Sequence, residues 1–302
     1  MSDKPKIIAV VGPTSSGKTG LSVEIAKHFD GEVISADSRQ VYRGLDLGTG
    51  KVTRQEMQHI PHHLLDVADP SDVYTAAEFK KDAGKAILTI CGNSRIPIIA
   101  GGTFFYLDVL RNKQQSAPVE PNKDFRDSLE SFSTEALFQK IEAADPERAA
   151  DIDRQNRHRL IRALEIINTL GKVPKNDVAE SPYQWLIIGL DIDKEQLHQT
   201  IHTRLIQRLE AGMEAEITQL HKDGLSYERM YALGLEYRYM ALYLQKEITY
   251  EVMITQLETK IRQFAKRQLT WLKRDSDIQW FAPEARGQII DCVSLFLHGK
   301  NS

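Results

Sequence analysis

Only two cysteines occur among 302 residues, Cys91 and Cys292, far apart and without metal-ligand spacing. That leaves no cysteine-held metal site and fits structural thiols in a reducing compartment. Long apolar runs are missing too: nothing reaches the roughly 18 to 20 residues that span a bilayer. The opening MSDKPKIIAVV runs straight into a glycine-rich loop and has no signal-peptide layout. A cytoplasmic protein with no membrane partner is expected. Basic excess is absent, since the net charge is −3, so a nucleic-acid partner would have to be held by a local patch. Neither an internal repeat nor a low-complexity segment is found. What is present is 41% hydrophobic residues, over a length that suits one large domain or a core with a smaller insertion.

Four short apolar runs rich in β-branched residues read as buried parallel strands: Lys6–Val11, Glu32–Ala36, Ile96–Ala100 and Trp185–Leu190. Helical patterns lie between them, among them Thr19–Phe29 and Ala76–Ile90, the latter with Ser71 or Asp72 as its cap. This alternation predicts an α/β protein with a parallel sheet covered on both faces. The polar, proline-bearing stretch NKQQSAPVEPN reads as a linker into short amphipathic helices around Phe125–Phe132 and Thr134–Ala144. The expected organisation is a core of residues 1–112 and 155–302 with a helical insertion at 113–154. From Lys194 to Arg274 the pattern is almost entirely helical, and a strand or loop and an apolar helix close the chain.

Gly12-Pro13-Thr14-Ser15-Ser16-Gly17-Lys18-Thr19 matches G-x-x-x-x-G-K-[ST] in full, between a predicted strand and a predicted helix. This makes the core P-loop NTPase-like. Gly12 and Gly17 let the backbone wrap an anion so that successive N–H groups point inward. The following helix adds its positive dipole end. Lys18 supplies a mobile charge, and Thr19 is placed to ligate Mg²⁺. These residues read a pyrophosphate, of which ATP is one source.

Asp37 stands at the C-terminal end of the second strand, the edge where open α/β sheets bind ligands. It could ligate a metal, act as a general base or be only a helix N-cap. Asp66 is a rival strand-end acid. After the third strand comes Gly101-Gly102-Thr103, either a tight turn or a place of close approach to substrate. Two stretches, RQNRHRLIRALE and KIRQFAKRQLTWLKR, are strongly basic. Cations beside an aromatic and amides suit RNA. His62 and His63 have no metal-ligand spacing and read as structural.

Taken in order, GPTSSGKT, SADSRQVYRGLDLGTGK, DPSDVYTAAEFKKDA, IPIIAGGTFFYLDVL, RHRLIRALEIINTLGK and AKRQLTWLKR closely resemble the bacterial tRNA dimethylallyltransferases. The resemblance runs from about Ile7 to Trp280. It implies a P-loop core with a helical insertion, the cofactor Mg²⁺, and transfer of a dimethylallyl group from dimethylallyl diphosphate to N6 of adenosine at position 37, in the tRNA anticodon loop. A monomer is expected. The resemblance implies Lys18, Asp37 and Thr103 as catalytic residues, with Asp37 as general base, and Gly12 to Thr19 as the diphosphate site. Asp37, Ser38, Arg39, Gln40, Thr103, Arg126, His158, Arg159, Arg162, Lys266, Arg267, Gln268, Trp271 and Lys273 are then the tRNA contacts. The chain departs from the family pattern at Gly234-Leu235-Glu236, where Gly-Tyr-Lys or Gly-Tyr-Arg is common, and at Gly50, Asn156 and Ile261. The competing reading of the loop is an ATP-dependent nucleoside or small-molecule kinase.

Overall fold

A computed structural model of the chain describes residues 4–114, 117, 119–174 and 180–299. Gln115, Ser116 and Pro118 of the expected linker lie outside the described residues. The first half runs β1 (Lys6–Val11), α1 (Lys18–His28), β2 (Gly31–Ser35), α2 (Arg54–Met57), β3 (His62–His63), α3 (Ala76–Gly92), β4 (Ile96–Ala100) and α4 (Phe104–Leu110). Four helices follow: α5 (Lys123–Ser128), α6 (Thr134–Ala144), α7 (Pro146–Asp151) and α8 (Arg157–Leu170). The rest is β5 (Gln184–Leu190), α9 (Lys194–Glu210), α10 (Met213–Lys222), α11 (Tyr227–Leu233), α12 (Leu235–Leu244), α13 (Tyr250–Leu272), β6 (Ile278–Phe281) and α14 (Arg286–His298). Among the described residues no helix is long and apolar enough to cross a membrane.

The chain divides into two compact units. One comprises the described residues of Met1–Arg111 and Glu180–Ser302, the other those of Asn112–Ala179. The first is an α/β unit around a parallel sheet of order β3-β2-β4-β1-β5-β6. Strand β1 shows why the sheet needs cover on both faces. Ile7, Ala9 and Val11 enter the core formed with α3 and α4, whereas Ile8 and Val10 enter the core formed with α1 and α14. All five are buried, as the period-2 geometry of a covered strand demands. A third core joins α9 to α13 around Val41, Tyr42 and Leu45.

The second unit is helical and has its own core, in which Leu160, Ala163 and Leu164 of α8 pack with Leu137, Phe138 and Ile141 of α6. It therefore runs past residue 154, where the sequence reading ends the insertion, and takes in α8. Helix α5 stops at Ser128, short of the expected Phe132. The cap of α3 is Thr75, not Ser71 or Asp72: its hydroxyl accepts from Glu78 N, and Glu78 returns a bond to the Thr75 N–H. This T-x-x-E capping box satisfies two orphan donors at once. Two-residue β3 carries His62 and His63, and His63 Nε2 lies 2.6 Å from Glu32 Oε2.

Candidate active site

The loop after β1 turns sharply beneath the sheet's C-terminal edge. Ser15 has φ 64° and Gly17 has φ 91°, and at Gly17 only glycine holds that left-handed conformation without cost. Left-handed residues in such a loop let its free amides point to an anion at the N-terminus of α1; the Ser16 N–H is not among them, since it donates to Pro13 O at 3.3 Å. Lys18 Nζ donates to the Pro13 carbonyl at 2.6 Å. Burial lowers the Lys18 pKa to about 8, against the attraction of Asp37 and with added repulsion from Arg204.

Asp37 follows β2. Its Oδ1 accepts from the N–H groups of Arg39 at 2.9 Å and Gln40 at 3.4 Å, while no hydrogen bond reaches Oδ2 from the described residues. The turn after β4 is stitched to the same strand end. Thr103 N donates to Ala36 O, and Thr103 Oγ1 accepts from Ser38 N at 2.9 Å and donates to Ser38 Oγ at 3.2 Å. Gly101 is required by this closeness, because a β-carbon there would lie 2.1 Å from Ala36 O.

These parts line one cavity of about 300 Å³ within the α/β unit. Thr14, Ser15, Lys18, Thr19, Asp37, Ser38, Arg39, Gln40, Thr103 and Gln268 all face it. Gly12, Pro13, Ser16 and Gly17 shape the loop without lining it. The lining also includes the apolar side chains of Ile201, Leu233, Leu235, Ile261 and Phe264. Asp66 is not part of the cavity; its carboxylate pairs with Lys51, which also binds Asp46. Gln40 Nε2 donates to Gly50 O at 3.3 Å, tying the expected RNA contact to the loop before α2.

The sequence reading misses two arginines. Arg204 and Arg208, one turn apart on α9, both line the cavity. Burial lowers the Arg204 pKa, and Arg208 lowers it further. Arg208 is neutralised by Glu236 at 2.8 Å and donates to Leu47 O and Gly48 O, so the unusual Glu236 has an intramolecular partner. The available signal is spacing: Ile201, Arg204 and Arg208 continue the buried stripe of α9.

The expected RNA contacts fall into different surroundings. On α13, Lys266, Arg267 and Thr270 are exposed and Gln268 is buried, and Lys273 just beyond it is exposed. Trp271 is half-buried and its Nε1 donates to Asp108 Oδ2 at 3.2 Å. Arg262 pairs with Glu258. In the helical unit His158 and Arg159 are exposed. Arg126 and Arg162 share the carboxylate of Glu165, at 2.8 Å and 2.5 Å. Burial raises the Glu165 pKa, but hydrogen bonds from Arg126, Asn122 N and Arg162 outweigh it and hold the group at about 2.

The family described as IPP transferase matches residues 40–275. A tRNA dimethylallyltransferase of Shouchella clausii (strain KSM-K16) is 39% identical over 310 aligned positions, covering 99% of each chain. One from Staphylococcus carnosus (strain TM300) is 40% identical and covers 92% of each. These alignments differ from the family match in reach: at 99% coverage the phosphate loop, which precedes residue 40, is included. Among solved structures, a full-length tRNA isopentenylpyrophosphate transferase from Bacillus halodurans superposes with a TM-score of 0.74, at 35% identity, over 97% of each chain. A eukaryotic dimethylallyltransferase acting on tRNA gives a TM-score of 0.85, at 28% identity, over 98% of this chain and 80% of that one.

Proposed function

Because this chain belongs to the IPP transferase family, we propose that it transfers a dimethylallyl group from dimethylallyl diphosphate to N6 of adenosine at tRNA position 37 and releases pyrophosphate. The observation that carries this reading is the single cavity that sets the phosphate loop, Asp37 and an apolar wall together. A five-carbon allyl chain suits that wall, and a diphosphate suits the loop beside it.

In this reading N6 attacks C1 of the allyl group as the C1–O bond breaks. The bond's electron pair leaves with pyrophosphate, and the N6 proton passes to Asp37 Oδ2. Charge therefore grows on the diphosphate. Lys18 would exchange the Pro13 carbonyl for a phosphate oxygen, and the amides of Ser15 and Gly17 would add fixed dipoles. Such preorganised stabilisation of developing charge is usually the largest catalytic contribution. Thr103 would turn its hydroxyl proton from Ser38 Oγ to the leaving oxygen. The acceptor adenosine must leave its stack, which costs a few kcal/mol. Ser38, Arg39 and Gln40 beside Asp37 are suited to receive it.

Magnesium fits the donor set through Thr19, whose hydroxyl puts a hard oxygen on the cavity wall, where such a loop hydroxyl would ligate Mg²⁺ beside the substrate phosphates. When bound it would supply further neutralisation of the leaving pyrophosphate. Incubating the protein with unmodified tRNA, Mg²⁺ and dimethylallyl diphosphate tests the proposal. Mass spectrometry of the digested tRNA should show adenosine gaining C5H8 at position 37; unchanged adenosine there refutes it.

A further inference from the structure

Gln268 stands directly after two exposed cations, Lys266 and Arg267, in the basic segment expected to meet RNA, yet only 5% of it is exposed. It points the other way. Its Oε1 accepts from the Thr14 N–H at 2.7 Å, and its Nε2 donates to the Gly102 carbonyl at 2.9 Å. The amide orientation is chemically fixed, since a backbone N–H can only donate and a carbonyl can only accept. One carboxamide therefore bridges the phosphate loop and the turn that carries Thr103. Space for it is specific as well: a β-carbon on Gly102 would fall 2.7 Å from Nε2.

We infer that Gln268 is a positioning residue of the transfer reaction. It sets the gap between the phosphate loop and the Gly101–Thr103 turn, and thereby aligns the leaving diphosphate with Thr103 and Asp37, without touching RNA. The inference rests on the prenyl-transfer reading. It separates two jobs on α13: Lys266 and Arg267 face outward, and Gln268 holds the reacting geometry inside. A bridge with one donor and one acceptor end makes a prediction that simple packing does not. Gln268→Glu keeps the acceptor for Thr14 N–H but, when ionised, sets a carboxylate oxygen against Gly102 O. Protonation restores the lost donor.

The test compares wild type, Gln268→Ala and Gln268→Glu for kcat, donor KM, tRNA affinity and thermal unfolding. Gln268→Ala should lose about a hundredfold in kcat, the scale of an ångström-sized misplacement, with tRNA affinity within about twofold of wild type, well under one lost contact. Gln268→Glu should be as impaired at pH 8 and should recover relative to wild type as pH falls toward about 5, because burial and the facing Gly102 carbonyl raise the new carboxyl above the ordinary glutamate value of about 4.3. Should Gln268→Ala fail to fold, the pH profile of the isosteric Gln268→Glu decides alone. Weakened tRNA binding with kcat intact would overturn the inference in favour of an RNA contact. Equal impairment of Gln268→Glu at every pH would overturn it in favour of packing. Wild-type protein that modifies no tRNA would instead remove the function on which the inference rests, and the inference with it.

Discussion

Asp37 and Lys18 have opposite problems. Asp37 is anchored through Oδ1 by the amides of Arg39 and Gln40, which aims its other oxygen and leaves it able to take a proton. General-base catalysis contributes about 10² to 10⁴ in rate, so Asp37→Ala should lower kcat by at least about a hundredfold while tRNA affinity stays near normal. Strongly reduced tRNA binding would show instead that Asp37 mainly positions the base. Lys18 is half-buried, and desolvation in the cavity wall disfavours its charge. Only the protonated amine neutralises a diphosphate. With a pKa lowered to about 8, its charge is complete below that pH and lost above it. The donor kcat/KM, which reports the free enzyme, should fall as pH rises through about 8. A profile flat to pH 9.5 would show that Lys18 keeps its proton or does not bind the donor.

At the scale of elements, α13 is the most divided. Its buried stripe of Met253, Leu257, Ile261, Ala265, Gln268 and Leu272 repeats every three or four residues and faces inward, while Lys266 and Arg267 face solvent. A phosphate contact on single-stranded RNA contributes about −0.7 to the slope of log affinity against log salt. Arg267→Ala should weaken tRNA binding and flatten that slope by about this amount; an unchanged slope would place Arg267 off the RNA path. How much was legible follows the same logic of local against non-local cause. Strands β1 and β4 and helix α6 have the bounds read from their apolar patterns, because those patterns are local. Strand β3 has no apolar run and exists only through its register with β2. The Thr75 cap was readable as T-x-x-E and was obscured by the acids of DPSD. Lys18, Asp37 and Thr103 stand out in the sequence by motif and strand end, and the structure brings all three to the cavity wall. Arg204 and Arg208 share the spacing of the buried stripe on α9, but that this stripe reaches the cavity follows only from the packing of α9 on α10 and α13.

Among the described residues the hydrophobic cores fall within one unit or the other: three in the α/β unit and one in the helical unit. Periodicity within α8 did not reveal to which unit it belongs; packing of Leu160 against α6 decides that. Leu160 is fully buried, and truncating such a leucine costs about 2 to 5 kcal/mol. Leu160→Ala should lower the unfolding temperature of the helical unit while leaving dimethylallyl diphosphate binding intact, because the cavity lies in the other unit. Calorimetry paired with donor titration checks both; loss of donor binding would contradict the separation.

The central claim is that the phosphate loop holds a group that leaves, not one that donates phosphate. It is tested most directly by following the fate of phosphorus with tRNA, ATP and dimethylallyl diphosphate all present. The account predicts pyrophosphate released from the allylic donor one-for-one with C5H8 gained by adenosine, and no phosphate moved from ATP. Transfer of the γ-phosphate of ATP with no prenyl gain would contradict it.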